Sequence, residues 1–130
     1  MRTKVAAGCS SLHRDGTETI LHFFTGKHGD GGNPVAGLIA DGAGNLYGAT
    51  VDGGGSCTLT VYGCGTVFEI APDGTETILH FFRNPSLGAS PYGTLVADSA
   101  GNLYGSTLFG GANGYGTVYK ITPQWKFGDS

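Results

Sequence analysis

The sequence predicts an all-β protein of repeated four-stranded units, arranged as the blades of a β-propeller. Residues 16–24 read GTETILHFF, and residues 74–82 repeat them without a change. Both copies alternate polar and apolar side chains, the period of two that is typical of a half-buried strand. No stretch has the length and 3.6-residue period of a helix. Four-stranded units recurring every ~50 residues are typical of propeller blades, with a β-sandwich or a β-solenoid as the structural alternatives.

Each copy supplies four strand candidates in a fixed order. The duplicated strand is followed by a segment ending in Asp, by an NLYG segment and by a GTV segment. Asx and Gly residues between them suit tight turns. We predict that the segment ending in Asp is innermost in its blade and that the duplicated strand is outermost. The segments ending in Asp are residues 34–41 and 91–98, the NLYG segments are 45–51 and 102–108, and the GTV segments are 65–71 and 116–122.

The last blade, residues 91–122, lacks a fourth strand of its own. We predict that residues 16–24 of a neighbouring subunit supply it, so that the chain contributes two blades to a cyclic homo-oligomer. Because a propeller needs at least four blades, a trimer with six blades is favoured over a tetramer or a dimer. The predicted parts are an irregular segment 1–15, the exchanged strand 16–24, a first blade with its preceding loop 25–82, a second blade 83–123 and a tail 124–130.

The composition excludes several classes of partner. Charged residues are 13%, the net charge is −3, and no Lys/Arg cluster occurs, so we expect neither nucleic-acid binding nor an anionic membrane surface as partner. No apolar run reaches the ~18 residues needed to span a bilayer. Residues 1–8 lack the apolar core of a signal peptide, so no export signal is expected in this chain. The 25 glycines and the polar, weakly charged surface suit an extracellular β protein with many tight turns.

Two of the three cysteines, Cys57 and Cys64, lie in one Gly-rich loop. A hairpin can bridge this separation, which favours a disulfide. Two buried thiols and metal ligation are the alternatives, although no second Cys/His pair supplies further metal ligands. Cys9 is left without a predicted partner.

The motif as a whole resembles a known family. The pattern P-x-G-x-L-x-x-D-x-x-G-N-L-Y-G-x-T, then G-T-V-[FY]-x-I-x-P and D-G-T-E-T-x-L-H-x-F, resembles the GloVer tandem repeat over residues 16–123. That repeat occurs in exported bacterial proteins with varied surface anchors. The resemblance therefore implies an extracellular or cell-surface location, and it implies no established chemistry. Paired cysteines such as Cys57 and Cys64 also look like that family.

The longer loops are the places where we expect function. Asp30, Asn33 and Asp52 offer oxygen ligands that suit Ca²⁺, and His28 is the candidate general base, because histidine titrates near neutral pH. A solvated loop with turn-forming residues is the alternative. Tyr and Trp side chains can stack on sugars or fill blade interfaces. The predicted binding residues are Lys27, Asn33, Tyr47, Tyr104, Tyr115 and Trp125.

Three functions remain compatible with the sequence. The first is an extracellular binding module for a glycan or another small molecule. The second is a calcium-dependent lactonase or esterase with its site at the mouth of the propeller channel. The third is a purely structural repeat. His22 and His80 are expected to form hydrogen bonds between blades, and Asp41 and Asp98 to shape turns.

Overall fold

The computed structural model describes residues 8–12, 18–27, 29–35, 37–55, 57, 63–82 and 88–122. These residues form strands, turns and loops without a helix, which confirms the all-β class. Accordingly, the described part of the chain has no helix with the length and hydrophobicity to cross a membrane. The strands are β1 Gly8–Leu12, β2 Glu18–Phe23, β3 Gly31–Gly32, β4 Ile39–Ala40, β5 Leu46–Thr50, β6 Asp52–Gly53, β7 Thr66–Ile70, β8 Glu76–Phe81, β9 Ala89–Pro91, β10 Val96–Ala97, β11 Leu103–Phe109 and β12 Thr117–Ile121.

The middle of the chain, residues 31–82, folds into a four-stranded antiparallel sheet that we call unit 2. Its order is β4-β5-β7-β8, which is the order expected from the sequence. β3 and β6 form a separate two-stranded ribbon next to it. Every sheet in the described residues is open, and none closes on itself.

Unit 3, residues 88–122, repeats the first three strands of unit 2. β10, β11 and β12 pair in order, and β9 pairs with the far end of β11. Ser106 lies opposite Val118, just as Ala49 lies opposite Val67 in unit 2. Within the described residues, no strand pairs with the outer edge of β12.

Unit 1 is the two-stranded sheet of β1 and β2. The sequence predicts irregular structure for residues 1–15, but this segment contains β1. β1 pairs with β2 in the same register in which β7 pairs with β8, and both pairs have a register shift after the second residue of the first strand. β1 therefore stands where a β7-type strand would stand, and β2 is paired within its own chain.

Units 1 and 2 pack together through the end of the duplicated stretch. Phe24, just after β2, lies with its ring centroid 4.9 Å from that of Phe68 in β7. Leu21 packs beside it against Phe68 and Ile70, both fully buried. This contact covers the side of unit 2 that we call its back face.

Units 2 and 3 repeat the same contact. Phe82 is the counterpart of Phe24, and its ring centroid lies 5.1 Å from that of Tyr119, the counterpart of Phe68. Val67 and Tyr47 add to it from the other side of unit 2, its front face. On unit 3 they meet Leu95 and Leu103 within one core cluster. Successive units therefore stack front to back.

A disulfide joins Cys57 and Cys64, whose Cα atoms are 5.7 Å apart. Cys64 is fully buried in the core cluster between units 2 and 3, and Cys57 packs against that cluster. The cross-link therefore ties the long loop after β6 to the interface between units.

Candidate functional site

Asp41 organises the turn between β4 and β5. Its Oδ1 accepts hydrogen bonds from the backbone N–H groups of Ala43 and Asn45, at 2.9 and 3.0 Å. Its Oδ2 accepts from the Asn45 side-chain amide at 3.0 Å and from the Tyr47 hydroxyl at 2.8 Å. The D-x-x-x-N-x-Y spacing thus places the donors that hold the Asp41 carboxylate within the same turn and the start of the next strand.

Asp98 repeats this arrangement in the turn between β10 and β11. The side chains of Asn102 and Tyr104 donate to its Oδ2 at 3.0 and 2.8 Å. These two hydrogen bonds, with that of Asn102 the larger effect, lower the pKa of Asp98 to about 2. Asp98 therefore carries a negative charge at any pH near neutrality.

A pocket of about 280 Å³ lies where these two turns meet, between units 2 and 3. It combines apolar side chains with two oriented carboxylates and a hydroxyl, the usual composition of a small-molecule site. Sites for drug-sized ligands begin at about 300 Å³, so the volume of this pocket lies just below that range. The lining residues are Ile39, Ala40, Asp41, Tyr47, Ala97, Asp98, Ser99, Gly101 and Leu103.

The tyrosines predicted to bind sugars differ widely in exposure. Tyr47 is 3% exposed, lines the pocket, and donates to Asp41 and, at 3.3 Å, to Glu69 Oε2. Burial and the neighbouring carboxylates raise its pKa, so the hydroxyl remains a donor. Tyr104 is partly exposed, and Tyr115 is 91% exposed. Trp125 lies outside the described residues.

The calcium ligands predicted in the loop after β2 make separate contacts. Asp30 Oδ2 accepts hydrogen bonds from the Thr25 backbone N–H at 2.8 Å and from its hydroxyl at 3.2 Å. Asn33 instead donates its side-chain amide to Asp52 at 2.6 Å. Lys27 is exposed, and the predicted base, His28, lies outside the described residues. The described contacts thus join Asn33 to Asp52 and direct Asp30 elsewhere.

Asp30 turns towards two residues that sequence reasoning assigned no metal role. His22 Nε2, on β2, lies 3.3 Å from Asp30 Oδ1 and 3.2 Å from Glu76 Oε1 on β8. All three side chains are partly buried. His22 is expected from the sequence to form hydrogen bonds between blades, but the sequence does not indicate Glu76 as its partner, because the two residues come from different copies and meet only when unit 1 stacks on unit 2.

The two carboxylates of this cluster titrate in opposite directions. Burial and the charge of Asp30 raise the pKa of Glu76 to about 8. Burial also opposes ionisation of Asp30, but the hydrogen bonds from Thr25 and His22 outweigh it and lower its pKa. Because Glu76 shares the imidazole of His22 with Asp30, its ionised form is poorly stabilised.

Comparison with known proteins agrees with this repeated architecture. The family model described as the Gloeobacter/Verrucomicrobia repeat matches residues 9–127, which include β1 from its second residue onward. A search of curated proteins finds no match. The match extends over all three units and confirms the resemblance to the GloVer repeat. The chain belongs to the Gloeobacter/Verrucomicrobia repeat family.

Proposed function

We propose that this chain is an extracellular binding module that assembles head to tail into a β-propeller ring and holds a small polar ligand, such as a sugar, between successive units. The observation that carries the proposal is a stacking contact that is complete between units 2 and 3, partial between units 1 and 2, and not made by the front face of unit 3 within the described residues.

Among the described residues, none covers the apolar side chains on the front face of unit 3. Val118 is 83% exposed, whereas Val67, its counterpart in unit 2, is fully buried against unit 3. Val96 of the same unit is 61% exposed. A monomer would leave this apolar face in water.

The back face of unit 2 is covered only in part, because unit 1 brings two strands where a whole unit brings four. Leu38 is 38% exposed, whereas its counterpart Leu95 is 1% exposed beneath unit 2. The bare front face of one copy thus matches the bare part of the back face of another. A second copy of this chain is the occupant that completes both.

The edge of β12 and the strand β2 complete the fit. β2 has the same sequence as β8, the strand that fills the outer edge of unit 2. In a single chain β1 holds the pairing edge of β2, in the register that β12 of a neighbour would use. We therefore propose that β1 is displaced when β2 completes unit 3 of the next copy. Three copies would supply six blades.

Two further features support the proposed location and ligand. A disulfide supports an oxidising, extracytoplasmic compartment. The pocket between Asp41 and Asp98 would recur at each junction of a ring, and its fixed carboxylates suit the hydroxyl groups of a sugar. A calcium-dependent hydrolase has less support, because Asn33 and Asp52 bind each other.

Mass measurement by light scattering tests the assembly. We expect a concentration-dependent oligomer, favoured further when residues 1–12 are deleted and the β2 edge is freed. Val118→Lys and Leu38→Lys should each yield monomers, while Ala43→Lys, in an exposed turn, should assemble as the parent does. Monomers of both the full and the shortened chain at all concentrations would refute the ring.

Titration with monosaccharides, followed by NMR, tests the ligand separately. Shifts should concentrate at Asp41, Asp98 and Ser99 and disappear in Ser99→Tyr, which fills the pocket. Shifts confined to the exposed Tyr115, or none with any sugar, would refute this site.

A further inference from the structure

The contact between units 1 and 2 contains a group of side chains that we call the interface cluster: His22, Asp30 and Glu76. One atom from each lies within 4.8 Å of the others. Among the described residues, no second group of three His, Cys, Asp or Glu side chains is this close. The cluster lies apart from the pocket, whose lining includes none of these residues.

The interface cluster has the spacing of metal ligands. His22 Nε2 is 3.3 Å from Asp30 Oδ1 and 3.2 Å from Glu76 Oε1. Two ligands bound to one Zn²⁺ at about 2.1 Å, with an angle of about 90 to 110°, lie roughly 3.0 to 3.4 Å apart. The two separations from His22 fall in this range, and the ligand atoms of Asp30 and Glu76 lie within 4.8 Å of each other, so an ion can be accommodated once those two oxygens move closer.

Glu76 lacks a partner that an ion would provide. Its Oε2 is buried and accepts no hydrogen bond from a donor group in the described part of the chain, and its side-chain contact with Asp30 joins two carboxyl groups. Leaving such an oxygen unsatisfied is costly, and costlier still when the carboxylate is ionised. His22 has one Nε2 to offer to two carboxylates, so it cannot satisfy both. A divalent cation would give an oxygen of each carboxylate a positively charged partner.

Asp30, the third proposed ligand, is already oriented towards the site. Thr25 holds Asp30 through Oδ2 with two hydrogen bonds, which leaves Oδ1 facing His22. Carboxylates held in this way by a neighbouring donor are typical of built metal sites. The three ligands come from β2, the loop after it and β8, so the site exists only when the two units are stacked.

We propose that His22, Asp30 and Glu76 bind one divalent transition-metal ion, with Zn²⁺ as the best fit, across the contact between units 1 and 2. An imidazole nitrogen with two carboxylate oxygens suits Zn²⁺, whereas Ca²⁺ requires six to eight oxygen ligands. Water completes the coordination. The ion would join the two units as a cross-link.

The duplication supplies matched control residues. Glu18 on β2 is the counterpart of Glu76, and His80 on β8 is the counterpart of His22, yet neither belongs to the cluster. Substituting them changes the same residue types in the same sequence context. Zinc affinity should fall when the cluster residues are substituted and should stay the same when the control residues Glu18 and His80 are substituted.

Calorimetric titration of the whole chain with ZnCl₂ tests the proposal, in a Cys9→Ser background so that this thiol cannot compete. We expect one Zn²⁺ per chain and much weaker binding of Ca²⁺. Glu76→Gln and Asp30→Asn should each lower the zinc affinity by about tenfold or more, and Glu18→Gln and His80→Gln should leave it nearly unchanged. X-ray absorption of the zinc-loaded chain should show one imidazole among oxygen ligands.

Three results would overturn the site: no zinc binding, equal losses in the cluster and control variants, or Ca²⁺ binding as tightly as Zn²⁺. Near-UV circular dichroism of each variant shows whether it is folded. If Glu76→Gln does not fold, the zinc affinity of Asp30→Asn alone decides whether the site exists. Asp30 is in a loop, and the asparagine in this variant keeps a side-chain oxygen that can accept the hydrogen bond from Thr25.

Discussion

Gly48 and Gly105 explain at the residue scale why the NLYG motif ends in glycine. In β5, Gly48 lies opposite Phe68, and a Cβ at Gly48 would lie 2.7 Å from Leu38 Cδ2 and 2.8 Å from Phe68 Cζ. Gly105 lies opposite Tyr119 in the same way, and a Cβ there would press on that ring. Each glycine thus leaves room for the aromatic ring that receives the preceding unit.

Gly48→Ala should lower the free energy of unfolding by about 1 to 3 kcal/mol, because the added methyl group overpacks a core in which Phe68 is fully buried. Urea denaturation measures the change. Gly42→Ala is the control, since a Cβ at this exposed turn position meets nothing within 4 Å. Equal stability of the two variants would contradict this account.

At this scale the sequence predicts turns better than contacts. Asp41 and Asp98 are assigned correctly to turns, because the bonding partners of each lie within six residues of it. The cluster of His22, Asp30 and Glu76 depends instead on two units that stack, and no local pattern encodes that. The sequence instead groups Asp30, Asn33 and Asp52, because the two loops that carry them are expected to lie on the same face of a propeller.

The duplicated strand has two roles at the scale of elements. β8 is the outer strand of unit 2, whereas β2 pairs with β1 and covers the outer part of the back face of unit 2. The order β4-β5-β7-β8 was predictable, because each strand pairs with its neighbour in sequence and short turns allow little else. The strand β1 was not predictable, because its sequence GCSSL lacks the apolar alternation of TVFEI in β7.

Phe24→Ala should release unit 1 from unit 2, because Phe24 contributes the ring that packs on Phe68. We expect faster hydrogen exchange in β2, with an opening free energy lower by about 1 to 3 kcal/mol for a partly buried ring. Exchange in β11 and β12 should not change, since they contact unit 2 on its other side.

Phe23→Ala is the matched control for that experiment. Phe23 is the adjacent residue of the same type, but it is 54% exposed. It should affect exchange in β2 much less than Phe24→Ala does. Similar exchange rates in the two variants would show that the ring contact does not hold unit 1 in place.

For the molecule as a whole, stability should depend on the redox state. Reduction of the bond between Cys57 and Cys64 frees a loop that closes over a separation of seven residues. The loop-closure relation gives a loss of about 2 to 3 kcal/mol in the free energy of unfolding. Urea denaturation with and without a reductant measures it.

The double variant Cys57→Ala, Cys64→Ala provides the reference for this measurement. It should be as unstable as the reduced protein and should not respond to the reductant. A parent protein whose stability is the same in both conditions would contradict a role for the disulfide in the core between units 2 and 3.

The pairing of β2 has a consequence for chains with a different number of repeats. β2 and β8 adopt one register, with the same irregularity, against partners that share no residue at corresponding positions. The register of the duplicated strand therefore does not depend on the particular residues of the strand with which it pairs. For this reason we expect a chain with one repeat more or one repeat fewer to keep this strand pairing.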